Sequence, residues 1–383
     1  MKYQRFIWPF SFYFVASAAA AVYRPYIVLY YQSLSLSGAQ IGLLVGGAPL
    51  ITMISLPLMA GLADRTNRHR FVMSLSLLTV IVGLLLFPFL QTFVLLFVLS
   101  GLFAIFLSPV FPFANSATMV MLGEKKALYG RIRLGGTLGF SIAAAVAGTL
   151  VENFGFRLAF WGAALIYLIA FFINQRLVYS TESEETPSQK GPIRELLKSP
   201  RYLILLLLGF AGGISFSSNN TYLFPYLNEL GAEESLMGFA LTIGTIAEVP
   251  VLFFAGWFIK RFKAYGVLIF STMMIALRFL LFVLAVHPTF VLVIQLMHGL
   301  THPLMGVAGV TYADEHAKSG YQATAQGLFN TALGGIGAAF GGFAGGILFE
   351  RFGAKGMYLT FSAIVLLILA IASLIKRTLP AES

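Results

Sequence analysis

The sequence predicts an all-α membrane protein with twelve transmembrane helices arranged as two parallel, pseudo-symmetric six-helix bundles. Three observations carry this expectation. Of the 383 residues 58% are hydrophobic and only 10% are charged; the apolar residues come in runs long enough to cross a bilayer; and the second half of the chain repeats the first. A soluble domain carries about 25% charged residues, so there is too little charge here to cover a water-facing surface. The mean hydropathy of +0.85 agrees. No glycine period, little polar sequence and no cysteine exclude collagen, disordered tails and disulfide scaffolds.

A helix needs roughly 20 mostly apolar residues to span a hydrocarbon core about 30 Å thick. The runs that qualify are 6–32, 39–62, 71–90, 93–122, 132–152, 157–177, 202–228, 236–260, 266–286, 290–314, 324–349 and 355–375. They are about twice the length of a tilted membrane strand, which excludes a β-barrel. The first run continues past Ala18–Ala21 to Tyr31, longer than a cleaved signal peptide uses. Pro25 lies inside it and removes a backbone donor, so a bend is expected there. Between the sixth and seventh runs the stretch Arg176 to Tyr202 is first acidic, then basic, with three prolines. It reads as a cytoplasmic linker, giving bundles 1–178 and 201–383 joined by 179–200.

The net charge of +10 raises the question of nucleic acid, and its distribution answers it. Arg157, Arg351 and Lys355 fall on outer loops and Arg24, Arg133 and Arg278 within helices; every other Lys and Arg lies on a segment assigned to the cytoplasm. That asymmetry is the positive-inside rule. It places both termini in the cytoplasm, leaves no basic patch for nucleic acid, and makes the lipid bilayer the surrounding medium.

The repeat is read from four markers. Tyr26-x3-Tyr30 recurs as Tyr222-x3-Tyr226 and Gly42 as Gly238, each 196 residues later. Gly61-Leu-Ala-Asp64-Arg65 recurs as Gly256-Trp-Phe-Ile-Lys260-Arg261, and Gly148-Thr-Leu-Val-Glu152-Asn-Phe-Gly155 as Gly346-Ile-Leu-Phe-Glu350-Arg-Phe-Gly353. One offset of six helices gives two halves of like orientation, related by an axis along the membrane normal. Such parallel repeats imply a substrate site near the midplane and access by rocking of the halves.

The first cytoplasmic loop, with Gly61, Asp64, Arg65, Arg68 and Arg70, resembles the loop signature of the major facilitator superfamily, with Asn67 where its second glycine usually sits. A plain positive-inside loop is the bland alternative. On the functional reading Gly61 lets the helix end pack closely, Asp64 pairs across the interface and the arginines anchor the loop. Tyr129-Gly-Arg131-Ile-Arg133-Leu-Gly, together with Arg278 and His298 twenty residues apart, is similar to the lactose permease group, whose relatives include phenylpropionate transporters and nucleoside:proton symporters. The resemblance covers nearly the whole chain and implies the major facilitator fold, a monomer, and proton-coupled transport of a small solute.

Ionisable groups inside the membrane cost about 2.5–3.5 kcal/mol each at the centre on insertion scales, so each is a functional candidate. Glu248 is the one mid-membrane carboxylate, and Arg278 lies at similar depth in the next run. They read either as a structural ion pair or as the proton-coupling site, and in the second case protonation of Glu248 releases or repositions Arg278. His298 and His302, spaced i, i+4, share one face of the tenth helix and, as histidines, titrate near neutrality, a proton relay or pH sensor; packing histidines are the alternative. No third ligand accompanies them, so no metal is expected.

The group's glutamates fall at Thr245 and Thr301 here, which moves any coupling role to Glu248 or a histidine. Arg24, among Tyr23, Tyr26 and Tyr30, either faces a cavity or snorkels to the outer headgroups. Its repeat counterpart is Asn220, beside Asn219 and two residues before Tyr222. By resemblance Asn115 takes the place of the group's sugar-binding acid, opposite Arg133, and Phe140 that of its sugar-stacking tryptophan. Arg24, Arg133 and Arg278 together hint at an anionic or aromatic solute. The glycine runs at 135–139 and 334–346 are expected where the two halves touch.

The reading is a secondary active transporter, a proton symporter for a small organic solute (aromatic or anionic solute, nucleoside or sugar) in a bacterial inner membrane. A drug-efflux antiporter and a lipid translocator are the alternatives. No phosphate-cradling loop, HExxH, GxSxG or paired carboxylates occur, so neither ATP, an enzyme activity nor a cofactor is expected.

Overall fold

The computed structural model describes residues 4–179, 193–317 and 321–377, and among these no strand occurs. Most of the 179–200 linker lies outside the described residues; its end is a short helix, Ile193–Lys198. The spans are α1 Phe6–Ser33, α2 Gly38–Thr66, α3 His69–Phe89, α4 Phe93–Lys126, α5 Tyr129–Phe154, α6 Phe156–Asn174 and α7 Pro200–Glu229. The helical stretch Glu234–Leu284 is broken at Lys263, giving α8 (234–262) and α9 (264–284). α10 is Pro288–Gln295 with His298–His316, bent by 50° between them. Gln322–Arg377 is broken at Gly353, giving α11 (322–352) and α12 (354–377). These are the twelve helices of the fold.

By contacts the described chain forms two compact units. One comprises Met1–Leu36, Leu50–Glu184 and Ala232–Ile246; the other comprises Ser37–Pro49, Glu185–Gly231 and Ala247–Ser383. Each therefore contains six-helix material plus the first part of one helix from the other repeat. In the second unit Gly346 meets Gly38 and Gly42 backbone to backbone, with a Cβ on Gly346 only 2.2 Å from the Gly38 carbonyl oxygen. In the first, Gly238 rests on the Ala144 carbonyl and Gly148 on that of Glu234. Glu152 closes the same contact by accepting from the Ser235 amide at 3.2 Å.

The repeat extends beyond sequence to backbone conformation. Left-handed φ values occur at Ser35 and Gly231, at Asn67 and Lys263, and at Gly155 and Gly353, pairs separated by 196, 196 and 198 residues. Asn67 thus takes the conformation that a glycine would adopt most cheaply, one asparagine tolerates better than most residues. Interior contacts repeat too. Tyr30 donates to the Phe87 carbonyl at 3.3 Å and Tyr226 to the Phe282 carbonyl at 2.6 Å. Around the first pair Phe160 completes a ring cluster with centroids 5.0 and 4.8 Å away; around the second Tyr358 does so at 5.2 and 4.9 Å.

Two local expectations resolve differently. The bend at Pro25 is a 3-10 turn, Arg24–Tyr26, between two helical segments of α1. Gly135, Gly136 and Gly139 of α5 pack on α1 within the first unit, with a Cβ on Gly139 2.0 Å from the Phe14 carbonyl oxygen. The close approach of neighbouring helices inside a bundle, rather than contact between halves, is what requires them. Large apolar side chains cover the outside, with Phe253 at 81% and Leu284 at 72% exposure. In water such a surface is a liability; in lipid it is the solvent-facing side of the fold.

Candidate functional site

Three buried polar side chains of the second unit, Asn219, Gln295 and Thr301, converge on Arg278. The guanidinium is 2% exposed, deep in α9, and its face lies over the Phe282 ring at 5.3 Å. Nη2 donates to Asn219 Oδ1 of α7 at 2.8 Å and to Gln295 Oε1 of α10. Nη1 bonds His298 Nδ1 at 2.9 Å and Thr301 Oγ1 at 3.4 Å. His298 in turn places Nε2 2.8 Å from Glu248 Oε1 of α8. The result is one chain, Glu248–His298–Arg278, anchored by two amides and a hydroxyl.

The break in α10 makes this geometry available. The first segment ends at Gln295, a 3-10 turn covers His298–Leu300, and the second segment starts at His302 after Thr301 leaves helical conformation (φ −95°, ψ −112°). Pro303, which lacks an amide hydrogen, sits where its missing donor costs nothing. Thr301 Oγ1 donates to the His298 carbonyl at 2.6 Å, which also accepts the Thr301 amide at 3.1 Å, so that Thr301 closes the turn with both groups. Gly299 lets the turn approach α8, since a Cβ there would stand 2.6 Å from the Ala247 carbonyl oxygen and 3.1 Å from Glu248 Cα.

Two sequence expectations are corrected here. Glu248 and Arg278 do not pair directly; His298 bridges them, because burial of Arg278 beneath α10 puts the imidazole in between. His298 and His302 are not on one face of a continuous helix, because the 3-10 turn separates them. His302 instead lies against the Phe216 ring, 4.5 Å between centroids, with a buried Nδ1 that has no hydrogen-bond partner.

The bonding pattern fixes the state of the chain. Arg278 Nη1 is a donor, so His298 Nδ1 accepts and its proton sits on Nε2, where it donates to the Glu248 carboxylate. An imidazolium would set a donor against a donor at Nδ1. The arrangement is therefore a neutral imidazole, with its proton on Nε2, between the Glu248 carboxyl and the guanidinium. Glu248 is its open end, with 25% of its side chain exposed, against 13% for His298.

The first unit holds a second cluster. Tyr13 of α1 donates to Asn115 Oδ1 of α4 at 2.5 Å, and Thr118, Tyr129 and Arg133 lie around the same phenol. Arg133 is exposed, with its guanidinium 5.9 Å from the Tyr129 ring centroid. Phe140, two turns along α5, is half-buried. Of the other expected solute contacts, Arg24 is exposed between buried Tyr23 and Pro25, and Tyr26 is buried. Asn220 is exposed and donates to the Phe216 carbonyl at 2.8 Å. Asn219 serves Arg278. Tyr222 is fully buried, donates to the Gly342 carbonyl at 2.5 Å and stacks on Phe349.

At the loop between α2 and α3 Asp64 bonds His69 Nε2 at 2.7 Å, and Arg70 donates to the Leu177 carbonyl at 2.8 Å. Arg65 and Arg68 are exposed. Nothing lies within 4 Å of where a Gly61 Cβ would be, so close packing is not what that glycine supplies. His69 stacks on Tyr179, whose hydroxyl donates to Asn174; burial pushes this phenol up, with Arg70 nearby acting the other way.

Sequence reasoning missed Gln295 and Tyr13, and took Thr301 only as a place where a glutamate is lacking. Gln295 alone carried a signal: a glutamine inside an apolar run, three residues before His298. Among the described residues no group of three metal-ligating side chains occurs.

Comparison with known proteins places the chain among membrane carriers. The model of the MFS_1 like family matches residues 7–360. A maltose permease of Geobacillus stearothermophilus is 28% identical over 94% of this chain and 93% of its own length. A xanthosine permease of Escherichia coli is 25% identical over 59% of this chain and 58% of its own. The crystal structure of the nucleoside transporter NupG superposes with a TM-score of 0.82 at 17% identity, covering 99% of both chains.

Proposed function

The chain belongs to the MFS_1-like family and is a secondary transporter of the major facilitator superfamily, and from that premise we propose that it is a proton-coupled symporter of a small uncharged solute, a sugar or nucleoside. The observation that carries this reading is the Glu248–His298–Arg278 chain. Arg278 has little left to offer an anion: it is buried, and both of its terminal nitrogens are engaged by protein acceptors. The hint of an anionic solute drawn from three intramembrane arginines therefore loses one of the three. Permeases for maltose and xanthosine among the relatives point the same way.

Coupling follows from the hydrogen-bond logic. A proton arriving at the exposed end neutralises Glu248 and weakens its hold on the Nε2–H of His298; because Nε2 already carries a proton, the imidazole can take another only at Nδ1. If His298 becomes an imidazolium, its Nδ1 turns donor and the bond to Arg278 is lost. With only the long bond to Thr301 left on Nη1, the guanidinium and the α10 turn take a second arrangement. A solute that binds the two arrangements unequally then shifts their populations together with the proton. The Tyr13–Asn115–Arg133 cluster supplies a hydroxyl, an amide and a guanidinium suited to sugar hydroxyls or nucleobase edges. The chain acts as a monomer in the inner membrane of a bacterium, both termini cytoplasmic, with bundles 1–178 and 201–383 joined by a linker at 179–200.

The test is uptake of radiolabelled maltose and xanthosine into proteoliposomes with an acid-outside gradient. Accumulation is expected for the wild type and is lost in Glu248→Gln, whereas counterflow without a gradient survives. Accumulation that persists in Glu248→Gln overturns the coupling role. Extrusion of either solute in place of uptake favours an efflux carrier.

A further inference from the structure

Arg278 is held by neutral acceptors on every side that is bonded. Asn219 and Gln295 take Nη2, and His298 and Thr301 take Nη1. A buried guanidinium is bound most strongly by a carboxylate, bidentately, yet amide oxygens occupy the Nη2 edge. The consequence is electrostatic as well as geometric, because the charge of Arg278 then reaches a carboxylate only by way of His298. A direct carboxylate partner would hold the guanidinium in place whatever the state of Glu248.

Gln295 also has a particular place in the chain. It is the last residue of the first segment of α10, and His298 begins the 3-10 turn that follows. Gln295 and His298 thus grip the two terminal nitrogens of one guanidinium from either side of a 50° break. Loss of the His298 bond leaves the Gln295 and Asn219 bonds intact, so the guanidinium pivots about Nη2 instead of leaving the site.

Resting on the coupling reading above, we infer that Gln295 is a positioning residue for proton coupling: with Asn219 it keeps Arg278 on neutral oxygens, so that protonation at Glu248 or His298 is felt by the guanidinium. Other titratable groups face the cluster. They are His302 on α10, Tyr226 on α7 and Tyr358 on α12, with Glu229 beyond them at the α7 end, where it accepts from the Ala354 amide at 2.9 Å. None of these is hydrogen-bonded to Glu248 or His298 among the described contacts.

The experiment needs no solute. Purified full-length protein labelled with isotopic arginine is reconstituted in lipid, and infrared difference spectra are recorded between neutral and acidic pH. The guanidinium band of Arg278 is assigned by its loss in Arg278→Lys. Acidification is expected to shift that band in the wild type. In Gln295→Glu the shift disappears, because the guanidinium stays on the new carboxylate. In Gln295→Met the shift persists, with Nη2 held by Asn219 alone. An unchanged shift in Gln295→Glu, accompanied only by altered thermal stability, leaves Gln295 a packing residue and overturns the inference. Glu248→Gln separates the two levels: a shift that survives it, or no shift in the wild type, overturns the coupling reading itself. A shift lost in Glu248→Gln but kept in Gln295→Glu overturns the role of Gln295 alone.

Discussion

The two halves of the chain share a frame and differ in what they bury. Shifted by 196 residues, Asn219, Glu248, Arg278, Gln295 and His298 correspond to Tyr23, Thr52, Val82, Leu99 and Leu102. The whole charge-bearing chain of the second half is therefore absent from the first. The reverse holds for the first half's cluster: Tyr13, Asn115, Tyr129 and Arg133 correspond to Gly209, Thr311, Ala325 and Phe329. In the second half Gly209 and Phe329 pack against each other, a Cβ on Gly209 lying 3.1 Å from the phenylalanine ring. Meanwhile the aromatic clusters around Tyr30 and Tyr226 are kept in both. Each half thus keeps the scaffold contacts and gives up one polar cluster, the division on which the proposed symporter reading separates proton chemistry from solute chemistry.

The comparison breaks most readily at Arg278. Arg278→Val restores the residue type of the first half and removes the donor that Asn219, Gln295 and His298 share. Removing one member of a buried charged network costs about 3–5 kcal/mol, and gradient-driven uptake should be abolished. Thermal unfolding in detergent and proteoliposome uptake measure the two effects.

Scaffold positions should respond alike in both halves. Gly139 faces the Phe14 carbonyl and Gly337 the Phe210 carbonyl, each at under 3 Å for an added Cβ. Gly139→Val and Gly337→Val should each destabilise by about 1–3 kcal/mol through overpacking. Thermal unfolding that separates them by more than that range shows that one half tolerates rearrangement there, and the scaffold equivalence fails.

A smaller difference is expected at the repeated tyrosines. Tyr226→Phe removes a 2.6 Å hydrogen bond and Tyr30→Phe removes 3.3 Å bonds to the Phe87 and Leu90 carbonyls. Each loss lies within about 0.5–1.5 kcal/mol, more if the carbonyl left behind finds no new donor. The shorter, better-defined bond of Tyr226 should give the larger value in the same unfolding assay.

The smallest effect belongs to the loop between α2 and α3. Asp64 is 53% exposed in its pair with His69, and exposed pairs contribute about 0–1 kcal/mol. Asp64→Asn should leave stability nearly unchanged. A fall in transport rate without a fall in stability would then locate the role of this carboxylate in the transport cycle.

Composition and run length by themselves determined the membrane class and the twelve helices, because a hydrocarbon solvent admits few alternatives to apolar helices of that length. The repeat was legible for a related reason. Positions such as Asn67 and Lys263, or Gly155 and Gly353, mark the ends of helices of fixed length, so a constant offset survives even where side chains diverge. Glu248, Arg278 and His298 stood out because charge is rare in such a chain. What the sequence left open was who bonds whom. A linear reading pairs the acid with the base and puts His298 and His302 on one face. Only the tertiary structure inserts His298 between Glu248 and Arg278, turns His302 toward Phe216 and gives Gln295 a partner. Those partnerships depend on where α10 breaks and how far α8 and α9 lie from it. Spacing along a helix specifies neither, since contacts between helices are set by packing in three dimensions.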